Sequence, residues 1–145
     1  MGPPGIELIV RAVITEGSCL LLAQPIGETW YFLPGGHVEA GEPATTALRR
    51  ELEEELGVSG VQVGGVLAIA ETRYEDQRGE HHEVNLVYRV AISDATAGSR
   101  EAHLGFRWLD LSELGAVELR PAPMAELLRT GLDGPQLDVQ TDGFP

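Results

Sequence analysis

The chain has 145 residues and a formal net charge of −13, with 43% hydrophobic and 23% charged residues. This length suits one domain with one core. The negative charge argues against general binding to nucleic acids or anionic membranes, which needs basic surfaces. The single cysteine, Cys19, excludes a disulfide framework and a cysteine-rich metal site.

The N-terminal residues MGPPGIE lack the charged and then apolar pattern of a signal peptide. Since no apolar run approaches the length of a membrane span, the sequence predicts a cytoplasmic protein. We expect one domain over residues 1–145, with flexible or extended tails at residues 1–5 and at about 131–145. A C-terminal segment docked on the domain is the alternative for the second tail.

Three segments in the first third of the chain have the composition of β-strands. They are residues 7–15, 18–23 and 30–33. The turn signal Glu16-Gly17 between the first two segments predicts a β-hairpin. The third segment is aromatic and leads into Pro34-Gly35-Gly36, where the glycines allow a sharp turn.

Residues 36–58, GHVEAGEPATTALRRELEEELGV, contain the only helix predicted in the middle of the chain. Pro43 fits the first helical position, where its missing N–H costs nothing, and Gly57 fits a left-handed cap at the end. At about 100° per residue, one face carries leucines suited to packing on a sheet. These leucines are Leu48, Leu52 and Leu56.

An acidic surface is predicted beside the leucines, on an arc of roughly 100°. The arc contains Glu51, Glu54, Glu55, Ala44 and Ala47. Arg49 and Glu53 face solvent, and the small alanines should leave open space above the carboxylates. A merely solvated acidic face would leave Arg50 and the Gly-Gly pair unexplained. Hard divalent cations bind carboxylate oxygens, and the coordination shell of Mg²⁺ usually includes phosphate oxygens of the substrate. We therefore interpret the arc as a site for Mg²⁺, with Mn²⁺ as the alternative ion.

Written as a pattern, this segment is G-x5-E-x7-R-E-U-x-E-E-x-G-U, where U is a bulky aliphatic residue. Its fixed positions are filled by Gly36, Glu42, Arg50, Glu51, Leu52, Glu54, Glu55, Gly57 and Val58. The pattern resembles the signature of the Nudix hydrolases. The resemblance extends over roughly residues 6–130 and implies an α/β/α sandwich, in which the helix of this box packs against a mixed β-sheet.

The resemblance also implies roles for individual residues. Those that match the family's metal ligands are Glu51, Glu54 and Glu55, to which the carbonyl of Gly36 often adds a further oxygen. Arg50 and Glu42 match an ion pair that supports these glutamates. A purely structural turn is the alternative for Gly35 and Gly36.

The second half of the chain predicts further strands at residues 61–72, 84–92 and 106–109, with a bulge or bend at Gly64-Gly65. Residues 73–80 and 94–101 have the polar composition of loops. Short helices are predicted at residues 111–114 and 123–129.

Two glutamates outside the box are candidates for the base that activates water. Glu101 lies just before a strand, where many family members place a metal ligand or base, although an ordinary loop glutamate is the alternative. Glu83, at the start of another strand, is the second candidate. A carboxylate of the box, such as Glu54, could also accept the proton. The predicted catalytic residues are Arg50, Glu54 and Glu101.

Two further features are candidates for substrate contacts. A tyrosine at about the position of Tyr74 stacks on a nucleobase in some family members that hydrolyse dinucleoside polyphosphates, whereas a loop tyrosine packed on its surroundings is the alternative. His81 and His82 are adjacent, so a strand would point them to opposite faces. We therefore do not expect them to share a metal ion.

The sequence predicts metal-dependent hydrolysis of a phosphoanhydride bond in a nucleoside diphosphate linked to another moiety, by attack of a metal-activated water. The substrate would be a nucleotide, a dinucleoside polyphosphate or a nucleotide sugar. The alternative is a non-catalytic module of this family that senses a nucleotide or binds a protein. The intact box carboxylates favour the enzyme, and dimerisation stays open.

Overall fold

A five-stranded mixed sheet and a long helix form the centre of the computed structural model, which describes residues 5–93, 98–130 and 138–142. The strands are β1 (Ile6–Val13), β2 (Thr15–Glu16), β3 (Cys19–Pro25), β4 (Trp30–Tyr31), β5 (Gly35–His37), β6 (Gln62–Asp76), β7 (Gly79–Ala91), β8 (Leu104–Asp110), β9 (Glu118–Leu119) and β10 (Asp138–Asp142). The helices are α1 (Ala44–Leu56), a 3₁₀-helix (Leu111–Ala116) and α2 (Pro123–Thr130).

The large sheet has the strand order β10-β6-β7-β1-β5. In it β1 runs parallel to β7 and β10 parallel to β6, whereas the β6–β7 and β1–β5 pairs are antiparallel. Two smaller sheets, β2-β3-β8 and β4-β9, complete the β-structure of the described residues. The predicted α/β class with a mixed sheet is confirmed.

Each face of the large sheet is covered by its own apolar cluster. On one face, the leucines of α1 pack with Val10, Ala12, Tyr88 and Val90. On the other face, Val13 and Val87 pack with Leu127 and Leu128 of α2. Because neighbouring residues on a strand point to opposite faces, β1 and β7 supply both clusters, and the result is the expected α/β/α sandwich.

The helix α1 is placed by its leucines. Leu48 and Leu52 are fully buried and Leu56 is 2% exposed, as predicted. Burying one leucine contributes roughly 1.5–3 kcal/mol, which outweighs the few tenths of a kcal/mol that each pair of neighbouring glutamates costs. The helix starts one residue later than predicted, because Pro43 keeps an extended backbone with ψ of 145°. Gly57 ends it in the left-handed conformation, with φ of 69°.

The predicted hairpin between residues 7–15 and 18–23 forms only next to its turn. The short β2 pairs antiparallel with the start of β3, Thr15 with Leu20 and Glu16 with Cys19, whereas β1 pairs with β7 and β5. The apolar residues of β1 are buried on both faces of the sheet, and such a strand belongs in the centre of a large sheet rather than in an edge hairpin.

The predicted loop at residues 73–80 is wrong. Strand β6 continues to Asp76 and β7 begins at Gly79, so that a two-residue turn joins them. Tyr74 pairs with His81 and Glu75 with Glu80 across this hairpin. The segment is polar because it extends beyond the apolar core, and Asp76 stabilises the turn by accepting a hydrogen bond of 2.8 Å from the Arg78 N–H.

Other predictions about the second half of the chain agree with the structure. The strand register shifts between Val63 and Ala68, where a bulge was predicted at Gly64-Gly65. The C-terminal strand β10 docks on β6, which corresponds to the alternative of a docked segment. Residues 1–4, 94–97, 131–137 and 143–145 lie outside the described residues. Neither of the described α-helices is long and apolar enough to cross a bilayer.

Candidate active site

The helix α1 presents its carboxylates at three levels of exposure. Glu55 is only 4% exposed, the side chain of Glu51 is 17% exposed, and that of Glu54 is 51% exposed. Glu53 lies in solvent, as its helical phase predicted. The predicted open space above the alanines is wrong, because Ala47 is fully buried in the core and lets α1 approach the sheet closely.

The backbone of Gly35 and Gly36 lies directly against two of these carboxylates. A Cβ atom at Gly36 would lie 2.6 Å from both carboxylate oxygens of Glu51, so a side chain there would displace this carboxylate. The Gly35 N–H donates a long hydrogen bond of 3.4 Å to Glu55 Oε2, and a Cβ at Gly35 would overlap the carbonyl of Val10. The glycine pair therefore lets the strand approach the helix at its carboxylates.

Arg50 connects the acidic residues of the box. Its Nε and Nη2 donate to the two carboxylate oxygens of Glu42 at 2.8 and 2.9 Å, a bidentate pair. Its Nη1 lies 3.1 Å from Glu51 Oε1 and 3.4 Å from Glu54 Oε1, and Nη2 also donates to the His37 carbonyl at 3.1 Å. We call Glu42, Arg50, Glu51, Glu54 and Glu55 the box cluster. One guanidinium thus fixes three carboxylates and the turn after Gly36.

The carboxylates of the box cluster differ in their affinity for protons. Hydrogen bonds from Arg50 lower the pKa of Glu42 to about 2. Burial raises the pKa of Glu51, against the opposing effect of Arg50. Burial, together with the charge of Glu51, raises the pKa of Glu55 to about 8. The cluster therefore holds more negative charge than Arg50 compensates, as a cation site requires.

The loop that carries Glu101 contacts the end of α1. The preceding residue, Arg100, donates its backbone N–H to the Glu55 carbonyl at 2.7 Å, which holds the loop against the end of α1. The charge of Glu101 contributes to the raised pKa values of Glu51 and Glu55. Its own carboxylate lies 3.1 Å from His103 Nε2.

Glu83 and Tyr74 lie together on the other side of the sheet from α1. The Tyr74 hydroxyl donates to Glu83 Oε2 at 2.6 Å, and the Asn85 amide lies 3.4 Å from Glu83 Oε1. Tyr74 is 43% exposed and stacks on His81 with ring centroids 4.8 Å apart. These contacts place Glu83 with β6 and β7 rather than with the helix carboxylates.

Sequence reasoning missed Arg11, which lies between these two groups. Its guanidinium donates to the Leu33 carbonyl at 3.1 Å and to Asn85 Oδ1 at 3.3 Å. Burial lowers the pKa of Arg11, against the opposing charges of Glu83 and Glu55. A single arginine inside the apolar strand sequence was the available signal, because a charge in such a position needs partners.

Comparison with known proteins finds the family that the box resembles, and the match covers most of the chain. The NUDIX domain model matches residues 6–130. A Mycobacterium tuberculosis protein provisionally named 8-oxo-dGTP diphosphatase 2 is 33% identical, with 92% of this chain and 95% of that protein covered. The solution structure of the E. coli ORF135 protein is 27% identical, with a TM-score of 0.63 over 88% of this chain and 91% of that chain.

A second solved structure supports the fold alone. The mutator MutT protein from Bacillus halodurans is 19% identical and superposes with a TM-score of 0.69, over 96% of this chain and 91% of that chain. The similarity therefore extends well beyond the box, to the sheets and the later helices.

Proposed function

Since the chain belongs to the Nudix hydrolase family, we propose that it hydrolyses a phosphoanhydride bond in a nucleoside diphosphate linked to another group, with divalent cations held by the box cluster. Water attacks one phosphorus atom, the bond from that phosphorus to the bridging oxygen breaks, and a carboxylate takes the proton of the water. The two products carry the phosphates that the bridging oxygen had joined.

The arrangement of Arg50 among the carboxylates of the box cluster is the observation that carries this proposal. Three carboxylates contact one guanidinium and Glu55 is the fourth carboxylate of the cluster, which leaves a net charge of −3 when all four are ionised. Mg²⁺ or Mn²⁺ fits this set of hard oxygen donors, and Glu51, Glu54, Glu55 and the carbonyl of Gly36 would hold it. A bound cation supplies positive charge that stabilises the phosphate oxygens and acidifies the attacking water.

The other residues of the cluster have positioning roles in this proposal. Arg50 cannot lose its proton, so it remains a cationic partner for Glu51 and Glu54. Glu42 is the ionised partner that fixes the planar guanidinium through two parallel hydrogen bonds. Neither residue needs to touch the substrate for its loss to displace the carboxylates that do.

Three glutamates are candidates for the proton acceptor. Glu101 lies on a loop held against α1 and close enough for its charge to affect Glu51 and Glu55. Its position outside the helix lets it approach the water without giving up a place among the metal ligands, so we favour it over Glu54. Glu83 is the third candidate, but its hydrogen bonds are made with Tyr74 and Asn85.

The substrate that we propose to test first is a nucleoside triphosphate, in which phosphate is the group linked to the nucleoside diphosphate. The Mycobacterium tuberculosis relative is named for the triphosphate 8-oxo-dGTP, and it matches over nearly the whole of both chains. Exposed Tyr74 offers a ring on which a nucleobase could stack.

The experiment is a panel of dGTP, 8-oxo-dGTP, ADP-ribose, a UDP-sugar and diadenosine tetraphosphate, incubated with Mg²⁺ or with EDTA in ¹⁸O-labelled water. Mass spectrometry of the products identifies the cleaved bond and the phosphorus atom that receives the labelled oxygen. We expect cleavage only with the metal ion. Glu51→Gln should abolish most of it, whereas Glu53→Gln, on the solvent face of the same helix, should keep wild-type turnover.

Two outcomes would contradict the proposal. If the wild-type chain binds nucleotides but releases no product from any member of the panel with Mg²⁺ or Mn²⁺, it is a binding module rather than an enzyme. If Glu51→Gln and Glu53→Gln lose equal activity, the carboxylates of α1 do not act as the helical phase assigns them.

A further inference from the structure

A second group of metal-binding side chains lies on the sheet face away from α1. Glu7, His81 and Glu83 form it, and we call them the sheet cluster. Glu7 and Glu83 are paired across β1 and β7, and His81 lies two residues before Glu83, so all three side chains share one face. None of them belongs to the box.

Their ligand atoms are already close together. One carboxylate oxygen from each glutamate and one ring nitrogen of His81 lie within 4.8 Å of one another, and His81 Nδ1 is 2.9 Å from Glu7 Oε2. Ligand atoms bound at roughly 2.0–2.2 Å from one tetrahedral ion are about 3.3–3.6 Å apart. The most widely separated pair would therefore have to approach by up to about 1.5 Å, a distance that side-chain rotation can supply, to complete three bonds to a single ion.

Neighbouring residues hold these ligands in a suitable orientation. Asp76 Oδ1 lies 2.8 Å from His81 Nε2, which leaves Nδ1 to face Glu7 and Glu83. A metal-binding histidine commonly has its second nitrogen bound to a carboxylate in this way. Tyr74 fixes Glu83 through its hydroxyl and His81 through ring stacking.

An independent observation points to a missing ligand. Thr72 is 2% exposed, and among the described side chains its Oγ1 is the buried polar atom that has no hydrogen-bond partner. Thr72 lies directly across from Glu83 in the β6–β7 pair, so its side chain is on the same face. A buried hydroxyl without a partner costs about 1–3 kcal/mol, and a water on a bound ion would provide the partner.

A protonated His81 without a bound metal ion explains fewer of these contacts than a metal ion does. An imidazolium would satisfy Glu7 and Asp76, which lie on its two nitrogens. It would leave Thr72 without a partner, and Glu83 would have hydrogen bonds from the neutral groups of Tyr74 and Asn85, with Arg11 as a neighbouring charge. A dication bound to all three members of the sheet cluster satisfies both.

We propose that the sheet cluster is a second metal site, which binds a first-row transition-metal dication such as Zn²⁺ through two carboxylate oxygens and His81 Nδ1. An imidazole ligand favours Zn²⁺ and its neighbours over Mg²⁺, which prefers oxygen ligands alone. The site adjoins the box cluster, because Glu7 Oε1 also lies 2.9 Å from Nε2 of His37, the residue after Gly36.

The test is isothermal titration calorimetry of the whole chain with Zn²⁺, in a buffer with excess Mg²⁺ that occupies the box. We expect the wild type to bind a single Zn²⁺ and His81→Gln to lose at least about tenfold in affinity, the lower end of what loss of an outer partner costs. His82→Gln is the matched control, because His82 points to the opposite face and pairs with Glu71. Its affinity for Zn²⁺ should equal that of the wild type.

Each other outcome decides against the proposal. If no Zn²⁺ binds in excess Mg²⁺, or if His81→Gln binds it as tightly as the wild type, the sheet cluster is not a metal site. If Glu51→Gln removes the binding instead, the ion occupies the box. Should circular dichroism show that His81→Gln is unfolded, Glu7→Gln gives the same comparison at another ligand.

Discussion

The box cluster and the sheet cluster both gather carboxylates around a cation-binding geometry, but they are assembled differently. The box cluster comes from one helix and the turn before it, with Arg50 bonded to glutamates one, four and eight positions away. In the sheet cluster, the hydrogen bond between Glu7 and His81 joins residues 74 positions apart. A helical repeat specifies the first, whereas only strand pairing brings the second together.

This difference determines how each cluster responds to a change in the protein. In the box cluster, the negative charge of the carboxylates exceeds the one positive charge of Arg50, and the pKa values of Glu51 and Glu55 are raised. With all its carboxylates ionised, this cluster therefore needs a bound cation to be neutral. The sheet cluster contains a histidine that can supply its own positive charge. The first should therefore depend on metal for stability and turnover, and the second should tolerate its absence.

The largest expected effect is on turnover, at Glu101. If Glu101 is the proton acceptor, Glu101→Gln should keep metal and substrate binding but lose turnover by about 10²–10⁴, the usual contribution of a general base. Turnover measured across a Mg²⁺ titration checks this, since partial recovery at high Mg²⁺ would make Glu101 a metal ligand instead. An unchanged Glu101→Gln enzyme beside an inactive Glu83→Gln enzyme would move the role to the sheet cluster.

The second effect is the loss of turnover on replacing Arg50, compared with replacement of the neighbouring Arg49. Arg50→Ala should lower turnover by on the order of 10²-fold, as small displacements of catalytic groups do, because three carboxylates lose their shared partner. It should also lower the melting temperature. Arg49→Ala, an exposed residue on the same helix, is the control and should change neither quantity, so equal losses in both variants would contradict the role of Arg50.

The third effect is the pH dependence of stability without metal. Burial raises the pKa of Glu55 to about 8 in the folded protein, from 4.5. Between these values the folded state binds more protons than the unfolded state, so the free energy of unfolding should fall as the pH rises from about 4.5 to 8. Each pKa unit corresponds to roughly 1.4 kcal/mol, and the total should reach a few kcal/mol.

Urea denaturation in EDTA at several pH values measures this slope. Glu55→Gln should flatten it and should be more stable than the wild type near pH 8, while Mg²⁺ should flatten it in the wild type. Titration of His81 and Glu7 is common to both proteins and cancels in the comparison. Because the charge of Glu51 also raises the pKa of Glu55, the difference reports the two carboxylates together. Parallel slopes would show that Glu55 ionises normally.

The smallest effect belongs to the sheet cluster. Thr72→Val replaces the unpartnered hydroxyl with a methyl group of similar size, so without transition metal it should stabilise the fold by about 1 kcal/mol, the low end of the cost of an unsatisfied buried group. Chemical denaturation checks this. With Zn²⁺ bound, the advantage should shrink, because the hydroxyl would then have a water partner. A destabilised Thr72→Val protein in EDTA would show that the hydroxyl already has a partner in solution.

The fold class was predicted from the family resemblance that the box carries, and the faces of the box helix from local periodicity. The leucine stripe of α1 and the exposure of Glu53 follow from the helical repeat. Only the part of the predicted hairpin next to the Glu16-Gly17 turn forms, because β1 finds its partners in β5 and β7, and no local signal encodes that pairing. The polar end of the β6–β7 hairpin resembled a loop because its side chains bond to one another rather than to the core.

The same distinction separates the predicted site residues from the missed ones. Proximity of Glu101 to α1 was expected from the family resemblance, and the loop contact with Glu55 provides it. Arg11 and Glu7 were missed because each is a single charged residue in a strand-forming run, and its partners come from β7. Only the folded structure shows that Glu7 lies opposite Glu83 and that Arg11 donates a hydrogen bond to Asn85.

The placement of β10 has a consequence for how copies of the chain can meet. An exposed strand edge is a template for another chain's backbone and a source of aggregation. Strand β10 occupies the middle of the outer edge of β6, from Ala68 to Thr72. A bulge interrupts the edge on one side of it, and the charged residues of Arg73 to Asp76 follow on the other. At the opposite margin, β5 is only three residues long. A second copy could therefore extend the large sheet only along β10, which is five residues long, or along β5.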